Sequence, residues 1–210
     1  MKLKFPSLIP IFPLNGVIYF PKTNLPLNIF EERYLDLIND TMKKDKLMGM
    51  VQEKNNSSEV YNVGCLGKIS DFQKSEDNRV LINLSGITRF EIKSEVKNDK
   101  KYREFNVEYE KFHEDAARED INLIENNKLE IFFQKTKNFF NKNGLLLNWR
   151  EFDKLDKVQK VNTLAMIAPV SNEEKQKLLE TITLENKTQL LLDIIKFYTY
   201  ETDNTKKTVQ

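Results

Sequence analysis

Chemistry in a chain of 210 residues needs reactive side chains at workable spacings, and this one holds few. His113 is the only histidine, and Glu114 and Asp115 follow it directly. Any Ser-His-Asp or Cys-His arrangement would have to pass through it. Its charged neighbours instead give the pattern of a solvated turn. Cys65, the only cysteine, lies in the apolar run Val63-Gly-Cys-Leu-Gly67, which suits a small buried thiol better than a nucleophile. One cysteine and one histidine cannot build a zinc site. The six glycines form neither a phosphate-cradling loop nor a dinucleotide fingerprint. Carboxylates are abundant, but with 31% of residues charged a nearby pair arises by chance. These residues predict no metal, no cofactor and no enzymatic activity.

The aromatic residues offer a different chemistry. Phe12, Tyr19, Phe20, Phe30, Tyr34, Phe90 and Tyr102 are enough to line a groove for a peptide, although a strand pattern turns about half of such residues inward. Arg33 and Arg89 each precede an aromatic residue at the end of an apolar run. The ordinary role of such an arginine is a salt bridge to a carboxylate or a bond to a backbone carbonyl. The residues expected to touch a bound peptide are Phe20, Phe30, Arg33, Tyr34, Arg89 and Phe90.

The elements that would position them fall into two classes. Five of the six prolines crowd the first 26 residues: Pro6, Pro10, Pro13, Pro21 and Pro26. Each removes a backbone donor and clashes with a preceding helical turn, and each pushes the residue before it toward extended geometry. The apolar residues between them therefore predict short, kinked strands. A helix over about 31–44 follows, with Tyr34, Leu35, Ile38 and Met42 on one face. Strands are expected over 47–52 and 63–72, with Gly64 and Gly67 marking a bulge or a close backbone approach. Residues 79–84 and 87–96 read as two further strands broken at Ser85–Gly86, and 102–112 as another. Short strands at this spacing argue for a sandwich or barrel.

Beyond Ala116 the two-residue alternation stops. Leu129, Phe132, Phe133, Thr136 and Phe140 trace a helix over about 117–141, with Asn143–Gly144 as its stop. Val158, Val161, Leu164, Ala165 and Ala168 mark another, ended by Pro169. Ser171-Asn-Glu-Glu174 is a capping box that opens a short helix through Glu180. The last helix spans 184–200, with Leu191, Ile194, Ile195 and Tyr198 turned inward, and a polar tail follows. The expected organisation is α+β: a β domain over 1–115, a helical bundle over 116–202 docked on it, and a frayed tail over 203–210.

Charge is balanced. Net charge is +1, and residues 1–115 hold 18 basic and 18 acidic side chains. Lysine outnumbers arginine 27 to 6, and no half carries the basic footprint that nucleic acid requires. No run approaches 18 uninterrupted apolar residues, and the N-terminal prolines interrupt any secretory signal. A single cysteine points to a reducing compartment, and a cytoplasmic protein is expected.

The opening pattern resembles a known family. Pro10-Ile-Phe-Pro-Leu14, Tyr19-Phe-Pro21, Leu25-Pro-Leu-Asn-Ile-Phe-Glu31 and Arg33–Tyr34 resemble the amino-terminal substrate-binding domain of Lon-type ATP-dependent proteases. Further matches follow in the same order: Val63-Gly64 with Gly67 and Ile69, Ser85-Gly86 with Arg89–Phe90, Tyr102–Arg103, and Glu174-Lys-Gln176 with Leu178-Leu-Glu180. The resemblance covers nearly the whole chain. It implies a PUA-like β-barrel followed by a C-terminal α-helical bundle, and a role in binding exposed apolar polypeptide or a protein partner. The ATPase and Ser-Lys peptidase that such proteases carry are not found in these residues, so a stand-alone, non-catalytic module is expected. RNA binding, a use of PUA-like barrels elsewhere, is the alternative, and the charge balance opposes it.

Overall fold

The computed structural model describes residues 5–54, 57–116 and 124–207. The chain divides into two compact units, Met1–Arg118 and Glu119–Gln210.

The first unit is built on six strands: β1 (Leu8–Leu14), β2 (Asn24–Ile29), β3 (Leu47–Gln52), β4 (Val63–Lys74), β5 (Val80–Val96) and β6 (Arg103–Glu108). Their order is β2-β5-β4-β3-β1-β6, and β5 also pairs with β6. That last pairing closes five strands into a barrel and leaves β2 outside it. All pairings are antiparallel except β1 with β3.

The prolines sit where the ladder tolerates them. β1 pairs with β6 through Leu8–Ile11 and with β3 through Ile11–Leu14, so Pro10 and Pro13 each have a registered partner on one side only. Pro26 lies on β2, an edge strand. A residue without an N–H fits positions where one side carries no bond.

β5 runs unbroken for 17 residues, which corrects the expected break at Ser85–Gly86. What stands there is a shift of register between Leu66 and Gly67 of β4, with Gly67 paired to Gly86. β5 pairs with β4 through Val80–Glu91, with β2 through Val80–Ser85 and with β6 through Glu91–Val96. The strand expected over 102–112 ends at Glu108, and a 3-10 turn occupies Glu110–Ala116. Phe112, which continued the alternation in sequence, is buried from that turn.

The barrel interior holds Ile9, Ile11, Val51, Leu66, Phe90, Phe105 and Val107. Each contributes about 1.5–3 kcal/mol of apolar burial. A helix, α1 (Glu32–Met42), buries Tyr34, Leu37, Ile38 and Thr41 and packs against β1.

The second unit is helical: α2 (Asn126–Lys142), α3 (Trp149–Phe152), α4 (Lys157–Ile167), α5 (Asn172–Glu180) and α6 (Leu184–Lys207). Residues 117–123, where the first of these helices was expected to begin, lie outside the described residues. α2 buries Leu129, Phe132, Thr136, Phe139 and Phe140, and Gly144 ends it at φ +70°. The Ser171–Glu174 capping box is present, and Asp156 with Gln159 forms a second one ahead of α4. α6 packs on α2, α4 and α5 and continues to Lys207, past the point where the sequence suggested a tail. Residues 208–210 lie outside the described residues.

Candidate functional site

Beyond the closed barrel, β2, the first half of β5 and the last residues of β4 form a small projecting sheet. Residues directly paired across antiparallel strands share a face. On one face this gives three cross-strand rows: Leu25–Leu84–Ile69, Leu27–Ile82–Phe72 and Ile29–Val80–Lys74. Val80, Ile82, Leu84, Ile29 and Ile69 are buried, Leu25 and Leu27 are half-buried, and Phe72 is 37% exposed. Phe30, the residue after β2, is 66% exposed. The opposite face is mostly polar, with Leu81 44% exposed on it. There Ser85 Oγ lies 2.8 Å from Asn24 Oδ1 and 3.0 Å from Ser70 Oγ, and Asn83 Nδ2 donates to Ser70 Oγ at 3.3 Å. A sheet apolar on one face normally has a layer on it.

The segment between β1 and β2 provides part of that layer. Ile18, Tyr19 and Phe20 are buried in it. Its two ends need left-handed backbone, at Gly16 (φ +80°) and Lys22 (φ +59°). It lies against the sheet at the facing glycines. A Cβ on Gly86 would collide with the Phe20 carbonyl oxygen, and one on Gly67 would come 2.8 Å from the Tyr19 hydroxyl. Thr23 Oγ1 donates to the Phe20 carbonyl at 2.7 Å, and Lys22 N–H to Gly86 at 2.9 Å. Burial pushes the Tyr19 phenol far above its ordinary range, and its oxygen has no hydrogen-bond partner among the described residues.

The six residues expected to meet a peptide are dispersed. Phe90 is fully buried inside the barrel, and Phe20 is fully buried in the β1–β2 segment. Arg89 stands on the barrel's outer side, buried, with its guanidinium bound by Asp115 and its Cζ 4.3 Å above the Phe112 ring. Tyr34 is buried against Phe12, ring centroids 4.1 Å apart. Arg33 lies over the Tyr34 ring at 4.4 Å and pairs with Glu31 at 2.9 Å. Phe30 and Arg33 are the two that reach the surface. Phe12, Tyr19 and Tyr102 are buried as well. The half-exposed residues of the apolar face, Leu25, Leu27 and Phe72, were not singled out from sequence. The alternation of Leu25, Leu27 and Ile29 carried the signal for two of them.

The remaining reactive groups sit in structural surroundings. His113 is exposed, with Nδ1 3.0 Å from the Glu110 carbonyl oxygen. Cys65 is fully buried. A cavity of about 580 Å³ lies at the β5–β6 turn, lined in part by Lys100, Lys101 and Arg103. Each of these cations is already paired, with Glu104 at 2.6 Å, Glu32 at 2.7 Å and Glu95 at 2.7 Å, which leaves little attraction for an anion. No group of His, Cys, Asp or Glu that could hold a metal occurs among the described residues. Among the same residues no helix is long and apolar enough to cross a membrane.

Comparison with known proteins gives consistent matches. The family model described as the ATP-dependent protease La (LON) substrate-binding domain matches residues 8–196. A Lon protease of Syntrophus aciditrophicus is 27% identical over 200 residues, covering 88% of this chain and 24% of that protein. A Lon protease of Cytophaga hutchinsonii is 27% identical over 130 residues, covering 59% of this chain and 16% of that protein. The chain thus spans a quarter or less of the length of these relatives. Among solved structures, a Lon N-terminal domain protein from Xanthomonas campestris aligns with TM-score 0.63 at 18% identity, covering 90% of this chain and 98% of that one. The N-terminal domain of Mycobacterium avium complex Lon protease aligns with TM-score 0.64 at 13% identity over the same shares. At these identities the two structures establish a shared fold.

Proposed function

The chain belongs to the Lon substrate-binding domain family, and from that premise we propose that it is a non-catalytic module that binds exposed apolar polypeptide at the exposed margin of the apolar face of its projecting sheet. The observation that carries this reading is the row Leu27–Ile82–Phe72, with Leu27 half-buried and Phe72 37% exposed. Contiguous exposed apolar surface marks an interaction site, whereas a single exposed side chain does not. Phe30 follows β2 directly and is exposed, and Arg33, three residues further on, is an exposed cation that stacks on Tyr34.

The reading assigns the module no reaction. In support, the lone histidine is solvated and the lone cysteine is buried. It takes a protein partner rather than RNA. In support, the four arginines among the described residues of the first unit each have a carboxylate partner: Arg33 with Glu31, Arg79 with Asp77, Arg89 with Asp115 and Arg103 with Glu95. Arginines so occupied offer little to a phosphate backbone. A cytoplasmic location fits the single, reduced cysteine.

The experiment is a fluorescence-anisotropy titration of reduced, carboxymethylated α-lactalbumin, which cannot refold, with the full chain. Saturable binding is expected. An unchanged signal into the high micromolar range would overturn the reading.

A further inference from the structure

Among the described residues the projecting sheet has two edges without a paired strand, the outer edge of β2 and that of residues 70–74 in β4, because β3 pairs with β4 no further than Lys68. Such edges are templates on which a second chain can add as a strand. Which backbone groups face outward follows from the hydrogen bonds. Gly86 N–H donates to the Thr23 carbonyl and Lys22 N–H to the Gly86 carbonyl, both at 2.9 Å, so Thr23 and Gly86 form a bonded pair with one extra residue on the β2 side. Bonded and non-bonded pairs alternate along an antiparallel ladder. Leu25, Leu27 and Ile29 therefore bond to β5. The backbones of Asn24, Pro26 and Asn28 face the open edge.

The same alternation continues across β5. Its Leu81 and Asn83 bond toward Gln73 and Asp71 of β4, which turns the Phe72 N–H to the open side. That amide does not face water bare: Asp71 Oδ1 accepts it at 2.9 Å. A register shift between Ile69 and Asp71 kinks the same edge. Each open edge thus has its central outward donor removed, by a proline on β2 and by a neighbouring carboxylate on β4.

We propose that Pro26 and Asp71 are edge guards that stop a second copy of this chain from adding to the projecting sheet, leaving contact through the apolar face as the way to engage it. Two β2 edges meeting about a two-fold axis would pair Asn24 with Asn28 and residue 26 with itself. Three bonded pairs carry six bonds. Two of these need the residue 26 N–H, and the two pyrrolidine rings meet at the centre of the interface. On β4, an incoming carbonyl would have to displace the Asp71 carboxylate and face its charge. The inference stands whatever the face binds.

The test compares the 210-residue parent with Pro26→Thr and with the Pro26→Thr/Asp71→Ala double variant by sedimentation equilibrium over a range of concentrations. The double variant is expected to reach about twice the weight-average mass of the parent at the highest concentration, as a two-fold assembly requires. Equal masses at every concentration, with the far-ultraviolet circular dichroism of the folded protein retained, overturn the proposal. A second measurement needs no folded double variant. In the parent, the Phe72 amide should exchange about tenfold more slowly than the outward Asn28 amide. Equal rates for the two would overturn the role given to Asp71.

Discussion

Arg89 and Asp115 close a two-pronged ion pair across 26 residues of chain, with Nε 2.8 Å from Oδ2 and an η-nitrogen 2.7 Å from Oδ1. Asp115 Oδ2 also accepts the Arg89 backbone N–H at 2.9 Å. The side chains are 4% and 12% exposed, and Phe112 lies beneath the guanidinium. One carboxylate thus holds the 3-10 turn Glu110–Ala116 against β5. Removing one partner strands the other charge in a buried site. Asp115→Ala should therefore lower stability by about 3–5 kcal/mol, read as a shift in the urea midpoint with an unchanged slope. The Arg89→Met/Asp115→Leu double variant should lose less than the single one.

The facing glycines give the second prediction. A methyl group on Gly86 meets the Phe20 carbonyl oxygen, and backbone cannot rotate away as a side-chain tip can. Gly86→Ala should cost about 2–4 kcal/mol by the overpacking route. Gly144→Ala has open space around it, so its cost should come only from φ +70° and stay near 1 kcal/mol. Thermal melts of the two variants give the ordering.

Tyr19 gives a prediction of the opposite sign. Its hydroxyl is buried without a partner among the described residues, and burial keeps the phenol protonated. Desolvating such a group costs about 1–3 kcal/mol. Tyr19→Phe keeps the ring and removes that cost, so the variant should be at least as stable as the parent. A loss of more than about 1 kcal/mol in chemical denaturation would mean that the hydroxyl has a partner after all.

The pH dependence of one surface contact follows from Asp40. Tyr102 donates to its Oδ2 at 2.9 Å, and that hydrogen bond leads the effects that hold its carboxyl below the ordinary aspartate range. A carboxyl whose folded pKa is lowered contributes stability above its unfolded pKa and loses it as pH falls through the folded one. Tyr102→Phe should raise the Asp40 pKa toward its ordinary value, measured by carboxyl NMR titration. The difference in stability that comes from this bond should vanish in acid, once Asp40 is protonated in both proteins.

Much of this architecture is legible from local patterns. The strand Leu47–Gln52, the capping box at Ser171–Glu174 and the stop at Asn143–Gly144 rest on neighbouring residues alone, and the structure places them where the sequence did. Features that depend on distant partners were not legible in the same way. Ser85–Gly86 reads as a break because glycine weakens a strand, yet Gly86 is there so that the Phe20 backbone can approach. The 3-10 turn at Glu110 depends on Asp115 reaching Arg89. Phe20, Arg89 and Phe90 looked available to a partner because a two-residue period separates two faces without saying whether either is open. Around Arg89 both sides of the barrel wall are covered, by the interior cluster and by the 3-10 turn. The apolar face was missed for the converse reason. Its exposed member, Phe72, lies where β4 runs on past the end of its pairing with β3, a fact of registry.

The central claim, that this face binds apolar polypeptide, is tested most directly by comparing two exposed apolar residues in the titration with carboxymethylated α-lactalbumin. Phe72 belongs to the face, whereas Leu146, 99% exposed, belongs to the helical unit and provides the control. Phe72→Ser should weaken binding about tenfold, equivalent to about 1.4 kcal/mol, and Leu146→Ser should leave it unchanged. Equal affinities for parent and Phe72→Ser, or an equal loss in both variants, would contradict the assignment of the face.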